Sequence, residues 1–154
     1  MNAIEIALRE PAEKYKLYPR YDKEADILEV RSKVSRIWQF GIDIDGTIII
    51  DIDADGVLAN IELLIPQHLW KPMKSPIGPL QVSRASTLIF TEQSLRHKSF
   101  SLPLEVTTDL SRSYVHIRFG QEKQKALWVA LSQSCLALVE KSYLLGFHIA
   151  LETS

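Results

Sequence analysis

Asp43 to Glu62 reads DIDGTIIIDIDADGVLANIE, and two motifs of unrelated chemistry overlap in it. DIDGT, Asp43–Thr47, has the form of a phosphatase nucleophile motif. DIDADGVLANIE fits a twelve-residue calcium loop of the EF-hand type. Asp51, Asp53 and Asp55 take its positions one, three and five, Gly56 takes six and Glu62 takes twelve. Each motif needs a particular context, and the context decides the fold.

An EF-hand loop is aimed by a helix on either side. Here Gly46-Thr-Ile-Ile-Ile precedes the loop, and a glycine followed by β-branched residues disfavours helix. Val57–Leu64 continues as an apolar run up to Pro66. A DxDGT nucleophile needs a buried parallel strand before it and a later lysine and acid pair for magnesium. Residues 36–42, RIWQFGI, read as too few and too mixed for that strand, and beyond Glu62 no two acids are adjacent or one residue apart. The stretch therefore reads as a β-hairpin, Thr47–Ile52 and Val57–Leu64 joined by a turn at Asp55-Gly56, where both central residues are expected to take positive φ.

Working outward, the pattern recurs. YDKEADILEVR (21–31) lies over TDLSRSYVHIR (108–118) at an offset of 87, with Asp22 on Asp109, Leu28 on Val115 and Val30 on Ile117. Shifted by one, residues 48–64 lie over 134–150, so that Ile50 meets Leu136, Ile52 meets Leu138, Leu58 meets Leu144 and Ile61 meets Phe147. Both units alternate apolar and polar residues with period two. The expected fold is mainly β: two similar antiparallel β-meander units packed into one domain, sandwich or barrel-like, with short helical turns at most. The domain spans 1–154. Its first unit covers 14–65, a proline-rich crossing segment 66–102 and the second unit 103–154. Four prolines from Pro66 to Pro79 argue against regular structure there. Thr87–Phe90 is expected to add a short strand, and Thr91 to open a helical turn.

The alignment also bears on function. It sets Asp43, Asp45, Asp51 and Asp53 on Val129, Leu131, Ala137 and Val139, Asp55 on Lys141 and Glu62 on His148. The second unit is then built without any of the six carboxylates, so the fold does not require them, and a binding surface competes with a merely solvated face. Neutralising Asp51, Asp53 and Asp55 together should, on this reading, slow partner association and leave the melting temperature unchanged or slightly higher.

Charge supports an acidic face. The net charge of −1 conceals thirteen acids and eight bases in residues 1–64 against six acids and ten bases in 65–154. The bases are too scattered to argue for nucleic acid. No apolar run is long enough to span a membrane. The single cysteine, Cys135, and the absence of a signal-peptide pattern suit a cytoplasmic protein. Cys135 sits among apolar neighbours and reads as core. His68, His97, His116 and His148 have no metal spacing in sequence, although His116 and His148 occupy the outer positions that Glu29 and Glu62 hold in the first unit. Trp38, Trp70 and Trp128 are candidate interface anchors, a buried aromatic being the commoner role. Phosphate-binding, HExxH and nucleophile-elbow patterns are absent. No catalytic residue, cofactor or metal is expected.

Tyr21-Asp22, Asp26-Ile-Leu-Glu-Val30, Asp51-Ile-Asp-Ala-Asp-Gly56 and Asn60-Ile-Glu-Leu63 together resemble a small, uncharacterised bacterial β-rich family over about residues 17–65. Asn60 stands where that pattern has glycine. The resemblance implies a short β-meander without a catalytic role, in proteins that look like partners of small toxin-like proteins, in the manner of antitoxins. A non-catalytic immunity protein or antitoxin is thus expected, with Asp43, Asp45, Asp51, Asp53, Asp55 and Glu62 facing a basic toxin domain. The rival reading is a calcium- or other metal-binding protein using those same carboxylates. A third is a structural subunit that forms a homodimer through its β edges.

Overall fold

Period-two alternation becomes strand almost wherever it occurs. In the computed structural model, which describes residues 3–74, 80–120 and 125–151, β1 (Ile4–Arg9) is followed by β2 (Leu17–Asp22), β3 (Ile27–Ser32), β4 (Trp38–Ile44), β5 (Ile48–Asp53) and β6 (Leu58–Leu63). The crossing segment contributes β7 (Lys71–Pro72), β8 (Val82–Ala85), β9 (Thr87–Phe90), the short helix α1 (Glu92–Arg96) and β10 (Ser99–Phe100). Then come β11 (Glu105–Thr108), β12 (Tyr114–Arg118), β13 (Leu127–Ala130), β14 (Cys135–Glu140) and β15 (Tyr143–Ala150). The protein is mainly β, in two open sheets. Strands occupy both flanks of the calcium-loop motif, which removes the helices an EF-hand needs.

The six-stranded first sheet has the order β10-β4-β5-β6-β3-β2. The second runs β7-β11-β12-β15-β14-β13-β8, with β1 pairing with both β15 and β9. Read from β2 and from β11, the five central strands of the two sheets follow one order, all antiparallel, and each row ends in a short parallel strand, β10 on β4 and β8 on β13. Pro19 lies in β2, at the edge, where its missing N–H does not interrupt a ladder. Pro72 is likewise on an edge strand, so the crossing segment is more regular than its prolines suggest. Pro76 and Pro79 lie outside the described residues.

Register corrects the sequence alignment. Leu28 opposes Leu63 and Val30 opposes Ile61, as Val115 opposes Ile149 and Ile117 opposes Phe147. But Ile50 opposes Ile61 while Ala137 opposes Phe147, so Ile50 corresponds to Ala137 and not to Leu136. The offset of 87 persists through β5 and changes only in the β5–β6 turn, one residue longer than the turn after β14. Asp43, Asp45, Asp51 and Asp53 consequently correspond to Ala130, Ser132, Leu138 and Glu140. The second sheet does keep an acid at one of these places: Asp53 and Glu140 are both buried.

Turn chemistry is also reassigned. Asp45 and Gly46 both have positive φ, at 52° and 67°, in a turn closed by Thr47 N–H donating to the Ile44 carbonyl, so the Asp-Gly turn with both central residues at positive φ is DIDGT itself. At Asp55-Gly56 only Gly56 has positive φ, after a turn closed by Gly56 N–H donating to the Asp53 carbonyl. That is a three-residue loop with a glycine bulge. Inner-face residues of both sheets, among them Ile42, Ile50, Ile61, Val115, Val129 and Phe147, form one buried cluster. Each such side chain contributes about 1.5–3 kcal/mol relative to exposure. Cys135 belongs to this core, and burial pushes its thiol up to about 12.

Candidate functional site

Because directly opposed residues of an antiparallel sheet share a face, the pairings map the outer surface of the first sheet. One row runs Asp43, Ile49, Glu62, Glu29, Arg20. The next runs Gly41, Asp51, Asn60, Arg31, Tyr18. Four carboxylates, Asp43, Glu62, Glu29 and Asp51, thus lie on two adjacent rows with Arg20 and Arg31 at their side. Glu29 was visible in the sequence as the counterpart of His116 but lies outside the Asp43–Glu62 stretch. It reaches Glu62 only through the β3–β6 pairing.

Asn60 sits at the centre. It is fully buried, and its Nδ2 donates to Asp51 at 2.9 Å and to Glu62 at 3.3 Å. The glycine expected there is instead found at the same register position of the second sheet, Gly146 opposite Arg118. Burial pushes the Asp51 carboxyl above its usual range, against the Asn60 hydrogen bond. Burial, then the charges of Asp51 and Glu29, push Glu62 up. A carboxyl whose pKa is higher in the folded chain favours folding when protonated. That contribution is full below the unfolded carboxylate range and is lost as pH rises through the folded pKa. The Asp51→Asn/Glu62→Gln variant should therefore gain more melting temperature over the parent at about pH 7 than at about pH 4. Equal gains at both, in thermal melts across that range, would show that neither carboxyl titrates there.

The six carboxylates singled out in the sequence do not form one group. Asp43 and Asp45 belong to the β4–β5 turn, where the Asp43 carboxylate accepts from Gly46 N–H at 2.8 Å and Asp45 is exposed. Asp55 is exposed on the β5–β6 turn. Asp53 is inside. Its Oδ1 accepts from the backbone N–H of Asp55 and Val57, at 2.9 and 3.0 Å, and its Oδ2 meets the Arg36 guanidinium at 2.7 Å. Arg36 also donates to the Leu58 carbonyl and the Ser32 hydroxyl and lies over the Tyr15 ring. Including Asp53 in a neutralising set therefore removes an anchor of the fold, and the expectation of an unchanged melting temperature is withdrawn for it. Among the described residues no group of three or more His, Cys, Asp or Glu is arranged to hold a metal.

Other residues of the family-like pattern also serve the backbone. Asp22 accepts from the N–H groups of Glu24 and Ala25, and Asp26 accepts from the Tyr21 hydroxyl and from Gln67 N–H. Asp109, opposite number of Asp22, caps its own turn. Burial would raise its carboxyl, but hydrogen bonds from Ser113, Ser111 and Tyr114 hold it well below the usual range.

Next to the acidic rows, Arg36 pins a loop whose apolar side chains stand in solvent. Ile37 is 88% exposed, Val34 55% and Trp38 43%. Of these, Val34 and Trp38 line a shallow cleft with Arg31, Lys33, Arg36 and Ala59. Of the three tryptophans, Trp70 is core, its Nε1 donating to the Ile65 carbonyl, and Trp128 is half-buried on the second sheet.

Residues 20–64 match a family model described as "Protein of unknown function (DUF2283)". The match begins within β2, ends after β6 and so covers five strands of the first sheet, a minor part of the chain. The comparison with curated proteins gives no match. No helix among the described residues is long and apolar enough to cross a membrane.

Proposed function

We propose that the chain is a non-catalytic protein-binding module that presents the outer face of its first sheet to a basic protein partner, as an immunity protein or antitoxin does to a toxin domain. One observation carries this reading. Asp43, Asp51, Glu29 and Glu62 occupy outer-face positions whose register counterparts in the second sheet are Ala130, Leu138, His116 and His148. A like sheet is built without these charges, while Asp51 and Glu62 sit at a desolvation cost. The two sheets are, in this proposal, two copies of one unit of which the first kept the binding face. Acids steer a basic partner, and the exposed Ile37 and Trp38 beside them supply apolar anchors of the kind that dominate interface energetics.

The test neutralises the face, leaves Asp53 in place, and keeps at position 43 an amide oxygen that can accept from Gly46 N–H. Asp43→Asn/Asp51→Asn/Glu62→Gln is expected to melt no lower than the parent. It should slow association with the protein captured from the source cells by on the order of tenfold at low salt, and less at high salt. Trp38→Ala should instead speed dissociation. If the triple variant binds at the parental rate at low salt, the interface is not this face.

A further inference from the structure

We propose that His116 and His148 form a two-histidine binding site for a borderline divalent metal cation, of the class of Zn2+, Ni2+ or Cu2+, on the outer face of the second sheet. The two residues are directly opposed across β12 and β15, and their ring centroids are 5.8 Å apart. An imidazole nitrogen binds zinc at about 2 Å, which places the centroids of two rings sharing one ion on the order of 5–6 Å apart. The observed spacing falls in that range.

The second observation is independent of that spacing. Nδ1 of His116 and Nδ1 of His148 are both buried and have no hydrogen-bond partner. A buried polar nitrogen left unpaired destabilises a fold, and here two such atoms lie on neighbouring side chains. One cation accepting both lone pairs satisfies both at once. The rings are walled by aromatic side chains, Trp128 at 5.5 and 6.0 Å from the two centroids and Tyr114 at 4.7 Å from that of His148. This wall flanks the pair on one side. A cleft of about 310 Å3, lined by Leu80, Tyr114, Gln133, Ser134 and Leu136, opens on the His148 side.

Protonation does not compete. Burial, then the Arg118 charge, lowers the pKa of His116 against the pull of Glu105. Burial, then His116, lowers that of His148 to about 4 against Asp109. Both imidazoles are thus neutral near neutral pH, the form that binds metal. Imidazole ligands suit zinc, copper and nickel, whereas calcium and magnesium take oxygen. Since no third His, Cys, Asp or Glu joins the pair among the described residues, water completes the coordination sphere. The first sheet carries Glu29 and Glu62 at the corresponding positions, so the nitrogen pair belongs to the second sheet alone.

The tag-free, chelator-stripped chain is titrated with Zn2+ and separately with Ca2+ by calorimetry and thermal melting. One equivalent of zinc is expected to bind and to raise the melting temperature, with calcium inert. His116→Gln and His148→Gln should each weaken zinc binding by on the order of tenfold or more, and His68→Gln should not. Should either glutamine variant fold poorly, nitrogen-detected imidazole spectra of the parent chain decide instead. Zinc must then shift the nitrogens of His116 and His148 and leave those of His68 and His97 in place. No zinc uptake by the parent, or unchanged uptake by folded His116→Gln and His148→Gln, overturns the proposal.

Discussion

Replacing Arg36 by alanine is expected to lower the unfolding free energy by about 3–5 kcal/mol, because it strands the buried Asp53 carboxylate without its counter-charge. Both side chains are only 10% exposed, and the pair is closed at 2.7 Å. The same guanidinium ties the Leu58 carbonyl and the Ser32 hydroxyl to this corner, so one substitution releases β6, the β3–β4 loop and the β5–β6 turn together. Asp53→Ala should cost at least as much, since the turn also loses two N–H acceptor contacts. In urea titrations of the two single variants and the double variant, the double should be well short of additive. A cost below about 1 kcal/mol for Arg36→Ala would place the pair with ordinary surface salt bridges.

Gly146→Ala is expected to destabilise by about 3 kcal/mol or more, at the upper end of overpacking substitutions. A β-carbon there would stand 2.2 Å from the Ile117 carbonyl oxygen and 3.1 Å from the Arg118 Cα. These are backbone atoms of the adjacent strand, so β12 and β15 must separate and the ladder that opposes Val115 to Ile149 must yield. Chemical denaturation and amide hydrogen exchange of β12 measure the effect. A variant as stable as the parent would mean that the strands have room to part. The corresponding position of the first sheet accepts Asn60, so one place in two similar strand orders carries opposite demands.

Two substitutions so far apart in chemistry illustrate why the candidate site was half legible. Asp51 and Glu62 could be assigned to a strand face by counting in twos, and they do point outward. Asp53 obeys the same count from Asp51, yet it is buried, because the ladder shifts register between Asp51 and Ile52 and Arg36 reaches in from seventeen residues away. Nothing in the local sequence marks Arg36 as that partner. Glu29, matched with Glu62 through His116 and His148, stayed outside the site because it lies outside the Asp43–Glu62 stretch, thirty-three residues before Glu62 and opposite it across the β3–β6 pairing.

From the sequence by itself came the strand character, the short strand at Thr87–Phe90 with its Thr91-capped turn, the buried Cys135 and the strands in place of helices on both sides of the calcium-loop motif. These rest on side-chain periodicity, β-branching and turn residues, which act over a few neighbours and are written locally. Only the tertiary structure decided which Asp-Gly pair has both residues at positive φ, where the offset between the units changes, and that Asp53 and Glu140 are equivalent and buried. Those outcomes depend on register. A one-residue slip reverses every face of a strand, and the register is set by long-range pairing and by the fit of the common core, not by the residues of any one strand.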